Sequence, residues 1–291
     1  MRLTKEDELL KSIKKAGLIF KPNSDDLKDT YLNIISIFEQ KGIEVFIEKN
    51  SAKIINKKGE EFETICNKCD FLVSIGGDGT LISVTRRSFK FNKPVLGINL
   101  GTLGFLTDIM PNELDIFLEN MLENNNYRID SRMMLEYTIN GVSKVAFNDI
   151  VLTRKNIEHM ASIEAKIDGS VFNSYHGDGL IISTPTGSTA YNLSSGGPVV
   201  YPLTNALIIT PISPHSLTQR PLVLPAEFNI QLNCANDESL MIIIDGQDKF
   251  ELLKDEILTI SRASTKAKLI HKTTRNYFNL LSTKLKWGQE S

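Results

Sequence analysis

Phe71-Leu72-Val73-Ser74-Ile75-Gly76-Gly77-Asp78-Gly79-Thr80-Leu81-Ile82-Ser83-Val84 runs from an apolar stretch through a glycine turn into a segment that can start a helix. A short apolar run bounded by glycine reads as a buried strand, so Asp78 falls at a strand's carboxyl end. Open α/β sheets bind ligands at that end, where loops diverge and helix N-terminal amides point into the crevice. The three glycines allow left-handed backbone angles and let main chain approach a ligand without a Cβ in the way. The functional side chain of the turn is a carboxylate. It can take a proton from a hydroxyl attacking phosphorus, hold a metal that bridges phosphate oxygens, or simply cap the following helix.

Upstream, Ala16 to Phe20 reads as a strand, Pro22-Asn23-Ser24 breaks it, and Asp25-Asp26 opens a helix carrying Leu27, Tyr31, Ile34, Ile35 and Phe38 at helical spacing, closed by Gly42. Ile43 to Ile47 is the next strand, followed by a polar stretch with a short helix. Downstream, the strand Pro94 to Asn99 enters a second glycine-rich loop, and Leu114, Phe117, Leu118, Met121 and Leu122 mark another amphipathic helix. Strands alternating with helices imply right-handed crossovers and a parallel sheet. From about Met133 the pattern changes to short apolar-alternating runs separated by Asn140-Gly141, Asp168-Gly169 and Asp245-Gly246, dipeptides suited to tight hairpins. The expected architecture is an α/β N-terminal domain with a parallel sheet, over residues 1–130, and a β-rich, antiparallel sandwich-like second domain over 131–274. A helix at about 275–287, with Tyr277, Phe278, Leu280, Leu281 and Leu285 on one face, is expected to return to the first domain.

The 291 residues carry a formal net charge of -2 with Lys and Arg scattered, which provides no attraction for a phosphate polymer or an anionic membrane. Neither nucleic acid nor membrane is an expected partner. The charged N-terminus leads into no signal core, and no stretch is long and apolar enough to span a bilayer, which predicts a cytoplasmic protein. Cys66-x-x-Cys69 lacks a second pair or a His doublet for zinc and reads as two helix-borne thiols before a strand, and Cys234 is distant.

Neither a Walker-A lysine loop nor a G-x-G-x-x-G fingerprint occurs, so phosphates must be held another way. Gly97-Ile98-Asn99-Leu100-Gly101-Thr102-Leu103-Gly104-Phe105-Leu106 is a second glycine-rich wall, or else a flexible connection. The run from Gly177-Asp178-Gly179 through Ser183-Thr184-Pro185-Thr186-Gly187-Ser188-Thr189-Ala190-Tyr191-Asn192-Leu193-Ser194 to Pro198 is more informative. It offers backbone N–H groups and hydroxyls at high density, with Tyr191 as a flat face for a base, and this suits a nucleotide. Asn148 and Asp149 at a strand entrance can accept from ribose hydroxyls or close a turn. His159, His271 and Pro214-His215 read by themselves as surface or structural histidines.

Taken in order, Gly76 to Thr80, Asn99 to Leu106, Asn148-Asp149, Asp178-Gly179 with Ser183 to Pro198, Asp245-Gly246-Gln247 and the closing Tyr277 to Trp287 resemble the NAD kinase family. The resemblance implies phosphorylation of the adenosine-ribose 2′-hydroxyl of NAD by ATP with Mg²⁺ or another divalent metal, and a homodimer or homotetramer. It makes Asp78 the general base and sets Gly79 against the dinucleotide. Asn148 and Asp149 would then contact the ligand near its adenine half, while His159, His176, Asp178, the segment Thr189, Ala190, Tyr191, Asn192, Leu193 and Ser194, and Gln247 line the rest of the NAD site. The chain departs from the family at two of these positions. The shorter Asp149 stands where Glu is usual, and His176 stands where many relatives carry a fixed cation, so a charge contact there would depend on pH. The metal ligands are left open, with Asp78 as one candidate.

Two alternatives share parts of the pattern. A diacylglycerol- or sphingosine-type lipid kinase uses a similar glycine–aspartate turn, but this chain shows no basic amphipathic helix or lipidation signal. A non-catalytic NAD-binding sensor could keep the Tyr191 loop and dispense with Asp78, whereas this chain has both.

Overall fold

The computed structural model describes residues 9–156, 159–236 and 239–288. The chain divides into two compact units, one of residues 1–131 with 268–291 and one of residues 132–267.

The first unit contains β1 (Lys15–Phe20), α1 (Lys28–Gln40), β2 (Glu44–Ile47), α2 (Lys49–Ile54), α3 (Phe62–Lys68), β3 (Phe71–Gly76), α4 (Asp78–Ser88), β4 (Val95–Asn99), α5 (Leu114–Glu123) and β5 (Arg128–Arg132). β1 pairs in parallel with β2 and β3, and β3 with β4. Every residue of β3 and β4 is buried, as expected where helices cover both faces of a parallel sheet. Tyr31, Ile34, Ile35 and Phe38 of α1 and Leu114, Phe117, Leu118 and Met121 of α5 join the side chains of β1, β3 and β4 in one core. α4 begins at Asp78 and ends with Arg86 and Arg87, so its charges complement the helix dipole at both ends.

The second unit contains β6 (Leu135–Ile139), β7 (Val142–Ala146), β8 (Asp149–Arg154), β9 (Ala161–Ile167), β10 (Ser170–Gly177), β11 (Gly179–Ser183), a four-residue helix α6 (Tyr191–Ser194), β12 (Ala206–Ile212), β13 (Leu222–Pro225), β14 (Ile230–Cys234), β15 (Leu240–Ile244), β16 (Asp248–Leu252) and β17 (Leu258–Arg262). They form two six-stranded sheets, β10-β9-β14-β17-β6-β7 and β13-β12-β11-β8-β15-β16, whose pairings are antiparallel. Ile163, Ala165, Ile230 and Leu232 of the first sheet meet Ile150, Leu152, Leu180, Ile182 and Ile209 of the second in a sandwich core. At the hairpins, Asn140-Gly141, Asp168-Gly169 and Asp245-Gly246 all take positive φ, the conformation these dipeptides were expected to provide.

Two features depart from the sequence reading. A further strand, β18 (Ala267–His271), lies in the first unit's sheet, parallel to β4, rather than with the second half. A five-residue apolar strand carries no mark of the sheet it will join, because pairing is decided by distant neighbours. The following helix α7 (Tyr277–Leu285), capped by the Asn276 side chain on the Phe278 and Asn279 amides, buries Leu280 and Leu281 but leaves Phe278 exposed.

Cys66 lies in α3 and Cys69 just beyond it. Both are buried free thiols, and burial pushes them up to about 11 and about 12 respectively, so neither is a reactive thiolate near neutral pH. Among the described residues no helix is long and apolar enough to cross a membrane. Phe38 is fully buried, with its ring 6.5 Å from that of Phe71. Phe38→Ala should cost about 3–5 kcal/mol in urea unfolding, read as a lower midpoint at unchanged slope.

Candidate active site

β3 delivers its glycine turn at the carboxyl end of the parallel sheet, and Asp78 occupies the first turn of α4. None of Gly76, Gly77 and Gly79 has a positive φ, so the left-handed angles that glycine allows are not used here. What the motif provides is room. A Cβ at Gly76 would lie 2.4 Å from Thr80 Oγ1, while positions 77 and 79 face open space.

The Asp78 side chain does not cap its own helix. Its Oδ2 accepts from Phe105 N at 2.7 Å. Its Oδ1 accepts from Leu106 N at 3.2 Å, Thr107 N at 3.0 Å and Thr107 Oγ1 at 2.9 Å. Three consecutive amides of the second glycine-rich loop thus converge on one carboxylate, an anion nest whose occupant is part of the fold. Gly104 makes this approach feasible, since a Cβ there would sit 2.0 Å from Asp78 Oδ1. Asn99 at the end of β4 braces the loop from beneath: its Nδ2 donates to Thr102 O and Thr107 Oγ1, and its Oδ1 accepts from Gly101 N. The glycine-rich wall expected from sequence is therefore a holder for Asp78, and Thr107, just past the quoted motif, was missed.

The second unit repeats the device. Asp245, in the β15–β16 turn, accepts from the amides of Phe147, Asn148 and Asp149 at 2.8, 2.7 and 3.0 Å. Sequence reasoning saw in Asp245 a hairpin residue; its clamp on a segment 96 to 98 residues away had no local signal. The clamp presents Asn148 and Asp149 together. Asn148 Oδ1 is buried and accepts no hydrogen bond among the described residues. The Asp149 carboxyl is buried, and desolvation, reinforced by the Asp245 charge, raises its pKa to about 7. Asn148 thus holds acceptor capacity in reserve beside a carboxyl that burial keeps neutral, as a ligand-binding site would.

The hydroxyl-rich run packs against this pair. Thr184 N and the Ser183 and Thr184 hydroxyls donate to Asn148 O, and a Cβ on Gly187 would lie 2.2 Å from the same oxygen. Ser183, Thr184 and Ser188 are fully buried, so their hydroxyls serve backbone carbonyls of the loop and of Phe147 and Asn148 rather than forming the donor array expected for a nucleotide. Asn192 is also fully buried: its Nδ2 donates to Ser188 O and Pro198 O, and its Oδ1 accepts from Thr210 Oγ1. Thr189, Ala190 and Leu193 are partly buried and Ser194 is exposed, while Tyr191 is 47% exposed and leaves its ring available.

The other sequence-selected positions lie on strand ends and turns. Asp178 joins β10 to β11 and pairs with Arg154 at 3.0 Å. His176 Nδ1 is 2.9 Å from Ser162 Oγ on the neighbouring strand. His159 lines a cavity of about 320 Å³ with Arg154, Lys155, Asn156 and Asn236. Gln247 is exposed in the β15–β16 turn, its N donating to Ile244 O.

Known proteins resemble this chain over nearly its whole length. The ATP-NAD kinase N-terminal domain matches residues 16–127, and the ATP-NAD kinase C-terminal domain matches residues 147–272. The NAD kinase of Sulfurimonas denitrificans is 50% identical over 283 residues, 96% of this chain and 99% of that protein. Yeast NADH kinase complexed with NADH aligns with a TM-score of 0.87 at 26% identity, over 96% of this chain and 89% of that one. An NAD kinase from Archaeoglobus fulgidus in complex with ATP shares the fold, with a TM-score of 0.75 at 24% identity over 94% and 98% of the two chains.

The folded protein retains the Asp149 proton up to about pH 7, whereas the unfolded chain releases it near the ordinary 3.8. Stability from this group is present below that window and is lost as pH rises through it. Asp149→Asn should flatten the decline in thermal stability between about pH 4 and 7 and raise the melting temperature at pH 8 by about 3 °C or more. An unchanged pH profile would contradict the buried, neutral carboxyl.

Proposed function

The chain belongs to the ATP-NAD kinase family, and on that premise we propose that Asp78 is the general base for transfer of the γ-phosphoryl group of ATP to the adenosine-ribose 2′-hydroxyl of NAD, giving NADP. The single observation that carries this reading is the amide nest around Asp78. Three backbone N–H groups and one hydroxyl fix the carboxylate at the carboxyl end of the sheet. Phe105 N is the only donor to Oδ2 among the described residues, which leaves that oxygen lone-pair capacity for an incoming hydroxyl.

In the proposed step the 2′-oxygen forms a bond to the γ-phosphorus as its proton passes to Asp78. The bond from that phosphorus to the bridging oxygen breaks, and ADP leaves. Such a transfer needs positioning, a proton acceptor and charge neutralisation, and little covalent help. The unpaired Asn148 Oδ1 and the adjacent buried Asp149 carboxyl support a role for both residues in binding ribose hydroxyls, and the exposed Tyr191 ring supports contact with a base. Gly79, His159, His176, Asp178, the residues 189–194 and Gln247 complete the proposed dinucleotide contacts by family resemblance. For Asn192 any such contact would run through backbone, its side chain being committed to the loop.

Among the described residues no three His, Cys, Asp or Glu side chains gather as a metal cage, and four hydrogen bonds already engage the Asp78 oxygens. A protein-built Mg²⁺ site does not fit these residues. Magnesium, commonly carried on nucleotide phosphates, would arrive with the triphosphate, and no step above runs through it. The charged N-terminal sequence supports a cytoplasmic location, and the family resemblance supports a homodimeric or homotetrameric assembly.

Purified protein with ATP, Mg²⁺ and NAD should form NADP. Asp78→Asn, which keeps the size of the side chain and loses the base, should lower kcat by about 10²–10⁴-fold with the Kd for NAD nearly unchanged. Wild-type protein that binds NAD without forming NADP would instead be a sensor, and a fast Asp78→Asn variant would refute the base.

A further inference from the structure

The loop that holds Asp78 has no strand or helix of its own between Leu100 and Asp108, so its shape must be set from outside. Asn99 and Asp78 restrain one side of it. The other side is restrained by the segment that follows β18. Arg275 Nη2 donates to the carbonyl of Phe105, the same residue whose amide donates to Asp78 Oδ2. Arg275 Nη1 lies 2.7 Å from His271 Nε2, and His271 Nδ1 lies 3.0 Å from Asp108 Oδ1. Arg275 Nε lies 3.7 Å from Asp108 Oδ2, an ion-pair contact in which neither atom makes a hydrogen bond among the described residues. Asp130 flanks the group, 3.7 Å from His271 Nε2 and 3.8 Å from Arg275 Nη1.

The chemistry of this group is consistent. A neutral imidazole with its proton on Nδ1 donates to Asp108 and accepts from Arg275, using both nitrogens. Burial, helped by the guanidinium and opposed by Asp108, holds the His271 pKa below its ordinary value and favours that neutral form. Arg275 and Asp108 are charged, and their side chains are only 5% and 11% exposed. Burying such a network for stability alone is a poor exchange, because packed apolar residues often do as well or better. A planar fork, however, can hold a carbonyl and a ring nitrogen at once in a fixed geometry.

We propose that Arg275 is a positioning residue for Asp78, acting through the Phe105 carbonyl and the His271–Asp108 pair to fix the loop whose amides set the carboxylate. The inference rests on the reading of Asp78 as the base. Arg275 touches no reacting atom in this account; it determines where Phe105 N, Leu106 N and Thr107 N lie. Displacing a reacting group by about 1 Å can cost about 10²-fold in rate.

The test is a double-mutant cycle on the full-length protein, measuring kcat, both KM values and NAD affinity. Arg275→Ala should lower kcat about 10–100-fold with KM for NAD and ATP within about threefold of wild type. Arg275→Lys, which keeps a charge but not the fork, should also lose most of kcat and serves if the alanine variant does not fold. Combining either with Asp78→Asn should slow the enzyme little beyond Asp78→Asn alone, since both changes disable one unit. Lys272→Ala, which removes the neighbouring ion pair with Glu113, should leave kcat unchanged. Losses that multiply in the combined variant, or wild-type kcat in folded Arg275→Ala and Arg275→Lys, would overturn the positioning role alone. A wild-type rate in Asp78→Asn would overturn the base reading and the positioning role with it.

Discussion

A carboxylate held by three consecutive backbone amides is the constraint on which the first unit's site depends. Asp78 stands where the strand β3 turns into α4, yet its side chain reaches across to Phe105, Leu106 and Thr107 rather than to its own helix. The interaction works in both directions. The loop would have no fixed course without an anion to converge on, and the carboxylate would be free to rotate without the loop. Charge-assisted bonds of this kind are roughly twice as strong as neutral ones, and an orphaned member is costly, so neither partner is replaceable alone. Gly104 exists for this contact, and Asn99 and Arg275 brace it from opposite sides.

The second unit applies the same physics to a different end. Asp245 gathers the amides of Phe147, Asn148 and Asp149, and the loop from Ser183 to Gly187 closes over Asn148. Here the held residues, not the holder, carry unused polar capacity: a buried Asn148 Oδ1 without a donor, and an Asp149 carboxyl kept protonated toward neutral pH by burial and by the Asp245 charge. A fold that stores an unpaired polar atom and a desolvated carboxyl on consecutive residues is less stable than it need be. Binding a ligand that satisfies them would recover that stability.

Much of this was legible in sequence because the signals were local. The apolar run Phe71 to Ile75, the helical spacing of Tyr31, Ile34, Ile35 and Phe38, and the Asn-Gly and Asp-Gly turns each depend on neighbours in the chain, and each forms as its residues dictate. The same local pattern places Asp78 at the end of β3 and Asn148 and Asp149 at the entrance of β8. It could not say what surrounds them. The clamp by Asp245, the loop brace by Arg275 and the membership of β18 in the parallel sheet all join positions far apart in the chain, and no spacing rule reports such contacts. The hydroxyls depart from the sequence reading in role rather than in place, and of the two uses open to the glycines one is taken up. The glycines of the Asp78 turn give space and not unusual φ, and Ser183, Thr184 and Ser188 are buried supports.

If the amide nest makes Asp78 an effective base, Gly104→Ala should disable it. The backbone at 104 does not require a positive φ, so the variant adds one methyl group, aimed at Asp78 Oδ1, and alters no titratable group. The account predicts that kcat for NADP formation falls at least about tenfold while NAD affinity holds, because the carboxylate and its loop can no longer approach. Wild-type kcat in that variant would contradict it.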